Sequence, residues 1–359
     1  MNKTILAIAI PALFAAGATN AQEIYNDGEN AFSIGGRLNL MVESANEDGE
    51  RDARAEDNSS RINLNFSREL TNGFAARATM EYGLDNPNGD SSNPFFNRLG
   101  FLALDHDDYG SLSFGKQWST YYSVAGNTDV FWVYGGTSMG IYDGATGINS
   151  DGELTGGHGV AGTGRANDAL QYNGSFGGVN LSGQYQFADQ SNGRKDSYSG
   201  AISYDFDFGL NVGTTYHQMN RTADAMSDVK RSSGGNSGDA KLAALAATYN
   251  QGPIYAAVTY GEFKDHVSFD GETVSEKAIG HEGVVAYTLD MGLQLYTGWN
   301  VQDDKAANSL GELKEGYVGA MYDWNNILLY TEYRNSKEKD VVGVKTDDNR
   351  LAAGVRYNF

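Results

Sequence analysis

The sequence predicts an all-β fold: a transmembrane antiparallel β-barrel of about 16 strands, built as one domain over residues 22–359. Three observations carry this reading. Segments of about ten residues alternate apolar and polar positions, the mark of strands whose two faces meet different surroundings. Tight Gly/Asn/Asp turns alternate with long polar connections, so that one end of each hairpin is short and the other loose. Past the N-terminus no apolar run is long enough for a helix to span a bilayer, which leaves a closed barrel as the way to satisfy every backbone group in lipid.

The first 21 residues read as an export signal. Lys3 supplies the positive end, Ile5 to Ala18 the apolar core, and Thr19-Asn20-Ala21 the small-residue exit, with cleavage after Ala21. The strand pattern then begins. Phe32, Ile34, Leu38, Leu40 and Val42 oppose Ser33, Arg37, Asn39 and Glu43. Ile62, Leu64 and Phe66 oppose Arg61, Asn63 and Asn65, and Phe74, Ala76, Ala78, Met80 and Tyr82 oppose Arg77, Thr79 and Glu81. The last strand sets Leu351, Ala353, Val355, Tyr357 and Phe359 against Arg350, Ala352, Gly354, Arg356 and Asn358.

Seven tight turns punctuate the chain: Thr71-Asn72-Gly73, Asp108-Tyr109-Gly110, Gly177-Gly178, Asp207-Phe208-Gly209, Gln251-Gly252-Pro253, Asp290-Met291-Gly292 and Asn325-Asn326. Gly, Asn and Asp there supply the positive φ that tight hairpins need. With both termini on one side, seven such turns imply about sixteen strands. Energy decides which face is which. An Arg facing lipid at the midplane costs roughly 2–4 kcal/mol, so the faces carrying Arg37, Arg61, Arg77 and Arg356 look into water and the aliphatic faces into lipid. Aromatics near the tight turns, such as Tyr109, Phe206, Trp324 and Tyr357, fall where an interfacial girdle would lie. A soluble β-sandwich is the competing fold, but it predicts a shared apolar core and more even loops.

Composition narrows the function. The 359 residues include no Cys, which removes disulfides and thiolate metal sites. The five histidines are scattered, and none is paired with another at metal-ligand spacing. A formal charge of −20, or −21 once Lys3 leaves with the signal, argues against a nucleic-acid partner, which needs a basic footprint. Gly157-His158-Gly159-Val160-Ala161-Gly162 matches a dinucleotide fingerprint in letters only, lacking the flanking strand and helix. Asn149-Ser150-Asp151-Gly152 resembles part of a calcium loop but lacks its first acid and its closing Glu. No nucleophile–histidine order or HExxH motif points to hydrolysis, so neither enzyme chemistry nor a cofactor or metal is expected.

The one stretch that breaks the pattern is Trp118 to Gly164, a long Gly-rich insert between regular strands. Loops of that length in compact domains are usually functional or disordered. The expectation is that residues 118–164 fold into the bore and narrow it.

Several motifs are similar to those of a known family. Glu23-Ile24-Tyr25-Asn26 with Ile34-Gly35-Gly36-Arg37, then Asn97-Arg98-Leu99-Gly100-Phe101, Gly110-Ser111-Leu112-Ser113-Phe114-Gly115-Lys116-Gln117 and the final Gly354-Val355-Arg356-Tyr357-Asn358-Phe359 follow one another in order. Together they resemble the general trimeric porins of Gram-negative outer membranes, of the enterobacterial and Vibrio type. The resemblance implies a sixteen-stranded barrel in the cell outer membrane, a homotrimer, and contact with outer-membrane lipid and lipopolysaccharide. It implies passive diffusion of ions and small hydrophilic solutes through a water-filled pore, constricted by an inward-folded third external loop. Asn127-Thr128-Asp129-Val130 and Tyr134-Gly135-Gly136 look like that loop's acidic segment, with Asp129 at the first of its two carboxylate positions. Val133 holds the second position, and Thr137 stands where an acid usually follows the glycines. Arg37, Arg61, Arg98 and Arg165 match the family's basic lumen cluster, and Arg77, lumen-facing by strand phase, completes the expected constriction set with Asp129. Asp143, Asp151 and Glu153 are candidates to replace the missing loop acids. The alternatives are a substrate-specific channel, for instance for sugars along the aromatics Tyr121, Tyr122, Phe131, Trp132 and Tyr134, and a barrel adhesin.

Overall fold

Period-two sequence becomes a closed wall. In the computed structural model, residues 21–47, 50–84, 94–148, 153–306, 311–339 and 343–359 are described. The export signal read in residues 1–21 therefore lies outside them but for Ala21, as do the calcium-loop resemblance at 149–152 and the candidate Asp151. Before the insert run β1 (Gln22–Asn26), β2 (Asn30–Glu47), β3 (Glu50–Asp57), β4 (Arg61–Glu69), β5 (Phe74–Leu84), β6 (Phe95–His106) and β7 (Gly110–Trp118). The insert holds α1 (Tyr122–Ala125), a short hairpin of β8 (Ala145–Ile148) and β9 (Leu154–Gly156), and α2 (His158–Ala161).

After it come β10 (Arg165–Phe176), β11 (Val179–Gln186), β12 (Arg194–Asp205), β13 (Leu210–Arg221), α3 (Ala223–Asp228), β14 (Lys230–Arg231), β15 (Ala240–Gln251) and β16 (Ile254–Lys264). The chain finishes with β17 (Thr273–Val274), β18 (Ala278–Thr288), β19 (Leu293–Asp304), β20 (Glu312–Trp324), β21 (Ile327–Lys339) and β22 (Lys345–Asn358).

Eighteen of these segments form one antiparallel sheet, which closes where β22 pairs β2 and which continues past the insert where β7 pairs β10. They make sixteen staves. The partner of β2 on one side is β3 for Leu40–Glu47 and β4 for Asn30–Arg37, a single stave broken at residues 58–60. On its other side, β22 ends with Phe359 bonded to Gly36, and β1 takes over with Gln22 opposite Ile34.

All seven predicted turns carry a residue of positive φ, from Asn72 (φ 61°) to Asn326 (φ 72°). Gly177 and Gly178 (φ 57° and 85°) and Asn325 and Asn326 (φ 50° and 72°) have it in both positions, the geometry that matches strand twist in a two-residue hairpin. The faces alternate as the pattern requires. On β6 and β7, Leu102, Leu104, Leu112 and Phe114 are exposed, while Ala103, Ser111 and Ser113 between them are buried. The exposed aliphatic band is the outer face, because the opposite one bears Arg37, Arg61 and Arg356.

Buried apolar contact lies between the insert and the wall, not between two layers. On β15, β16 and β18 the face opposite the exposed Leu245, Val258 and Val285 bears small or apolar groups where a purely water-filled lumen would favour polar ones. Leu242, Ala244, Phe263 and Ala278 pack against Tyr121, Ala125, Met139 and Ile141 of the insert. Tyr255, Ala257, Val284, Ala286 and Tyr296 pack against Val130, Phe131 and Trp132. Farther along, Ala145, Ile148 and Leu154 meet Val229 and Val274, and β14 pairs β17 in parallel, tying three connections together. Arg231 fastens this tie with a two-point ion pair to the buried Asp265, at 2.6 and 2.9 Å.

Candidate functional site

Two irregularities in the wall gather the arginines. The break between β3 and β4 is held by Asn39, which accepts the Asn58 N–H through its carbonyl and donates its own N–H to Ser60 Oγ at 2.9 Å. Ser59 is thereby left at φ 68°, its oxygens turned toward the inner face. Its carbonyl accepts Arg37 Nε at 3.0 Å and Arg61 Nε at 3.3 Å, and its hydroxyl accepts Arg61 Nη2 at 3.0 Å and Arg98 Nη1 at 3.3 Å. The second irregularity is a bulge in β6, where Glu81–Tyr82 of β5 face Leu99 and Asn97 and Arg98 is the extra residue. A bulge re-aims a side chain that strict alternation would send outward. Arg98 Nε donates to Glu81 Oε1 at 2.7 Å, and Arg61 reaches the same oxygen at 3.3 Å.

Arg165 starts β10, where the insert rejoins the wall. It lies over the Trp118 ring at 5.5 Å, contacts His158 Nε2 at 3.1 Å, and interacts electrostatically with Arg98 and Glu81. Arg356, inward on β22, lies over the Trp132 ring at 5.2 Å and interacts with Arg61. The structure thus brings Arg37, Arg61, Arg98 and Arg165 together and adds Arg356. Arg77 sits apart, in a two-point pair with Asp105 at 3.0 and 3.1 Å and over Phe101 at 5.4 Å.

On the insert, Asp129 accepts the hydroxyls of Tyr122 at 3.1 Å and Tyr142 at 2.5 Å. Burial holds its carboxyl above the ordinary range, against the pull of those two hydroxyls and of Arg165. Gly136 makes room for it, since a Cβ there would sit 2.5 Å from Asp129 Oδ1. Val133 packs with Tyr134, Tyr317 and Ala352, and the Thr137 hydroxyl donates to Glu315 at 2.7 Å. Asp143 accepts from Gln302 at 3.2 Å, and burial pushes its carboxyl up to about 6. Glu153 is exposed at the entry to β9.

Sequence reasoning missed the wall carboxylates that hold the insert. Glu332 accepts the N–H groups of Trp132 and Tyr134 at 3.0 and 2.7 Å, Glu282 the Ser138 N–H at 2.7 Å and the Thr128 hydroxyl at 2.5 Å, and Glu43 the Tyr134 hydroxyl at 2.6 Å. Strand phase marked Glu43 as inward. Nothing local told which inward acids would meet the insert. Ser59 was missed as well, because its role depends on the break in the stave. Among the described residues no group of three or more His, Asp or Glu is placed to hold a metal ion.

The arrangement sets arginines of the inner face beside an insert segment that wall carboxylates pin in place. Known proteins resemble the chain over its full length. The chain is 27% identical to the outer membrane protein YedS of Escherichia coli and 27% identical to the outer membrane protein F of Serratia marcescens, covering all of both chains in each comparison. Salmonella typhi OmpF, solved in complex with daunomycin, superposes with a TM-score of 0.74 at 23% identity, over 94% of this chain and all of that one. OmpT of Vibrio cholerae superposes with a TM-score of 0.68 at 16% identity, over 94% of this chain and all of that one. The family described as Gram-negative porin matches residues 6–359, and the chain belongs to it.

Proposed function

We propose that ions and small hydrophilic solutes cross this outer-membrane diffusion channel through the gap between the Ser59-centred arginines and the insert, residues 118–164, which folds into the bore as its constriction. The observation that carries this is the set of insert contacts. They fall on Glu43, Glu282, Glu315 and Glu332, all on the face opposite the exposed aliphatic band. Arg37, Arg61, Arg98 and Arg165 form one side of the constriction and Asp129 the other. Arg77, neutralised by Asp105, contributes to the lumen away from the narrowest point. Charges set across a narrow water path make dipolar solutes align and tune which ions pass. Catalysis has no part in this reading. The Tyr121 and Tyr134 rings are packed against the wall, which argues against an aromatic path for sugars. Residues 1–21 act as a cleaved export signal, and the mature chain assembles as a homotrimer amid lipid and lipopolysaccharide, as the family resemblance implies.

The test uses the absence of native cysteine. Tyr142→Cys places a single thiol beside Asp129. Purified channels in a planar bilayer should open in multiples of three, and a bulky thiol reagent should cut the variant's conductance while leaving the wild type unchanged. A labelled variant with full conductance would remove the insert from the water path.

A further inference from the structure

The chain's overall charge of −20 points to a cation channel, but the aperture itself is charged the other way. Arg37, Arg61, Arg98, Arg165 and Arg356 interact electrostatically as one group. The acids beside them are few. Glu81 is shared between Arg61 and Arg98, and Asp129 accepts two tyrosine hydroxyls.

The other inward acids of this region are already committed. Glu282 and Glu332 are each 1% exposed and receive the insert's N–H groups, so the insert lies between them and water. Glu315 is 6% exposed and faces Arg334, while Glu43 faces Arg350 at 3.1 Å. Asp105 is spent on Arg77. Most remaining acids lie in outer loops. Their field decays over a Debye length of about 8–10 Å, while charges at a narrow, poorly screened gap act at full strength.

Two of the arginines also keep guanidinium N–H groups that no acceptor among the described residues takes, Arg37 on a half-buried side chain and Arg356 on one that is 4% exposed. Among the described residues Arg37 donates only through Nε, to the Ser59 carbonyl, and Arg356 only through Nε, to Asn358 at 2.7 Å. Arg356 has its flat face against Trp132, which fixes the plane of the guanidinium. A planar fork of paired N–H groups suits the two oxygens of a carboxylate or phosphate better than it suits a spherical ion.

We infer that this channel is anion-selective, and that Arg37 and Arg356 form a low-affinity way-station for small oxyanions, carboxylates and phosphate, at the constriction. The inference rests on the constriction reading above and deepens it by naming the solute class. Its test is a reversal potential for the full-length protein in a KCl gradient, followed by addition of phosphate or succinate to symmetric KCl. The wild type should pass chloride over potassium by about threefold or more, and Arg37→Ser and Arg356→Ser should each lower that ratio about twofold. Phosphate and succinate should reduce the chloride current of the wild type and do so less in either variant; a response to only one of them would say which oxyanion the fork prefers. A conducting wild type that prefers potassium overturns the inference while leaving the channel reading standing, as would variants that conduct with unchanged selectivity. A correctly folded protein with no conductance would overturn both. Arg77→Ser combined with Asp105→Asn, which removes an ion pair outside the group without changing the net charge, serves as the control and should leave the ratio within the scatter of the wild type.

Discussion

Glu332 accepts the backbone N–H of Tyr134 at 2.7 Å through one oxygen, and its other oxygen takes the Trp132 N–H at 3.0 Å and the Tyr296 hydroxyl at 2.8 Å. One carboxylate on β21 thus clamps the insert and braces β19. Removing it strands two amides in a place that water reaches poorly, and each buried donor left unpaired costs about 1–3 kcal/mol. Glu332→Ala should leave the barrel able to fold, since the wall loses the one side-chain bond from Tyr296 and none of its backbone ladder bonds. It should loosen the insert, seen as added open-channel noise and faster amide exchange over residues 130–136.

Gly280 tests the same docking from the other side. It faces inward on β18 beneath the insert, and a Cβ there would stand 1.7 Å from the Ser138 carbonyl oxygen. That neighbour is backbone and cannot swing away. Gly280→Ala should lift the insert from the wall, at the roughly 1–3 kcal/mol typical of overpacking, and change unit conductance. An alanine variant with wild-type conductance and wild-type thermal midpoint would show that the insert does not rest where the structure puts it.

Ser59 separates a backbone effect from a hydroxyl effect. Its positive φ is strained for any residue with a Cβ, by about 1–2 kcal/mol, and relaxed for glycine. Both Ser59→Ala and Ser59→Gly lose the acceptor for Arg61 and Arg98, but only glycine recovers the strain. The thermal midpoint should therefore fall more for alanine than for glycine. Equal losses would mean that the left-handed conformation is relaxed in both variants.

Asp143 gives the docked insert a pH dependence. Its carboxyl titrates at about 6 when buried, against roughly 4 when free in water. The group is raised in the docked state, so its contribution is fully present below pH about 4, declines as pH rises to about 6, and is flat above that. Amide protection of residues 141–145 should fall across that window in the wild type, and Asp143→Asn should flatten the curve.

How much of this was legible beforehand differs from residue to residue. Arg37, Arg61 and Arg356 could be placed on the inner face from alternation alone, because a strand's facing is a local property with a period of two. Arg98 could not, since by simple count it belongs with the outer residues, and only the bulge turns it inward. Arg77 carried the same phase signal as Arg61 yet meets Asp105, because its height along the stave, not its face, decides its neighbours. Asp129 was visible as a loop acid. That Tyr122 and Tyr142 would cover it was not.

What the sequence by itself determined is the wall: alternating strands, seven tight turns of positive φ, and two faces assigned by the cost of placing arginine in lipid. These follow from interactions between residues a few positions apart. What only the tertiary structure decided is which of the inward groups meet across the bore. Glu332 and Trp132 lie 200 positions apart and touch because the barrel closes, so no local pattern could pair them. The charge balance around Arg37, Arg61 and Arg98 follows from that closure, since closure determines which inward acids are spent on the insert.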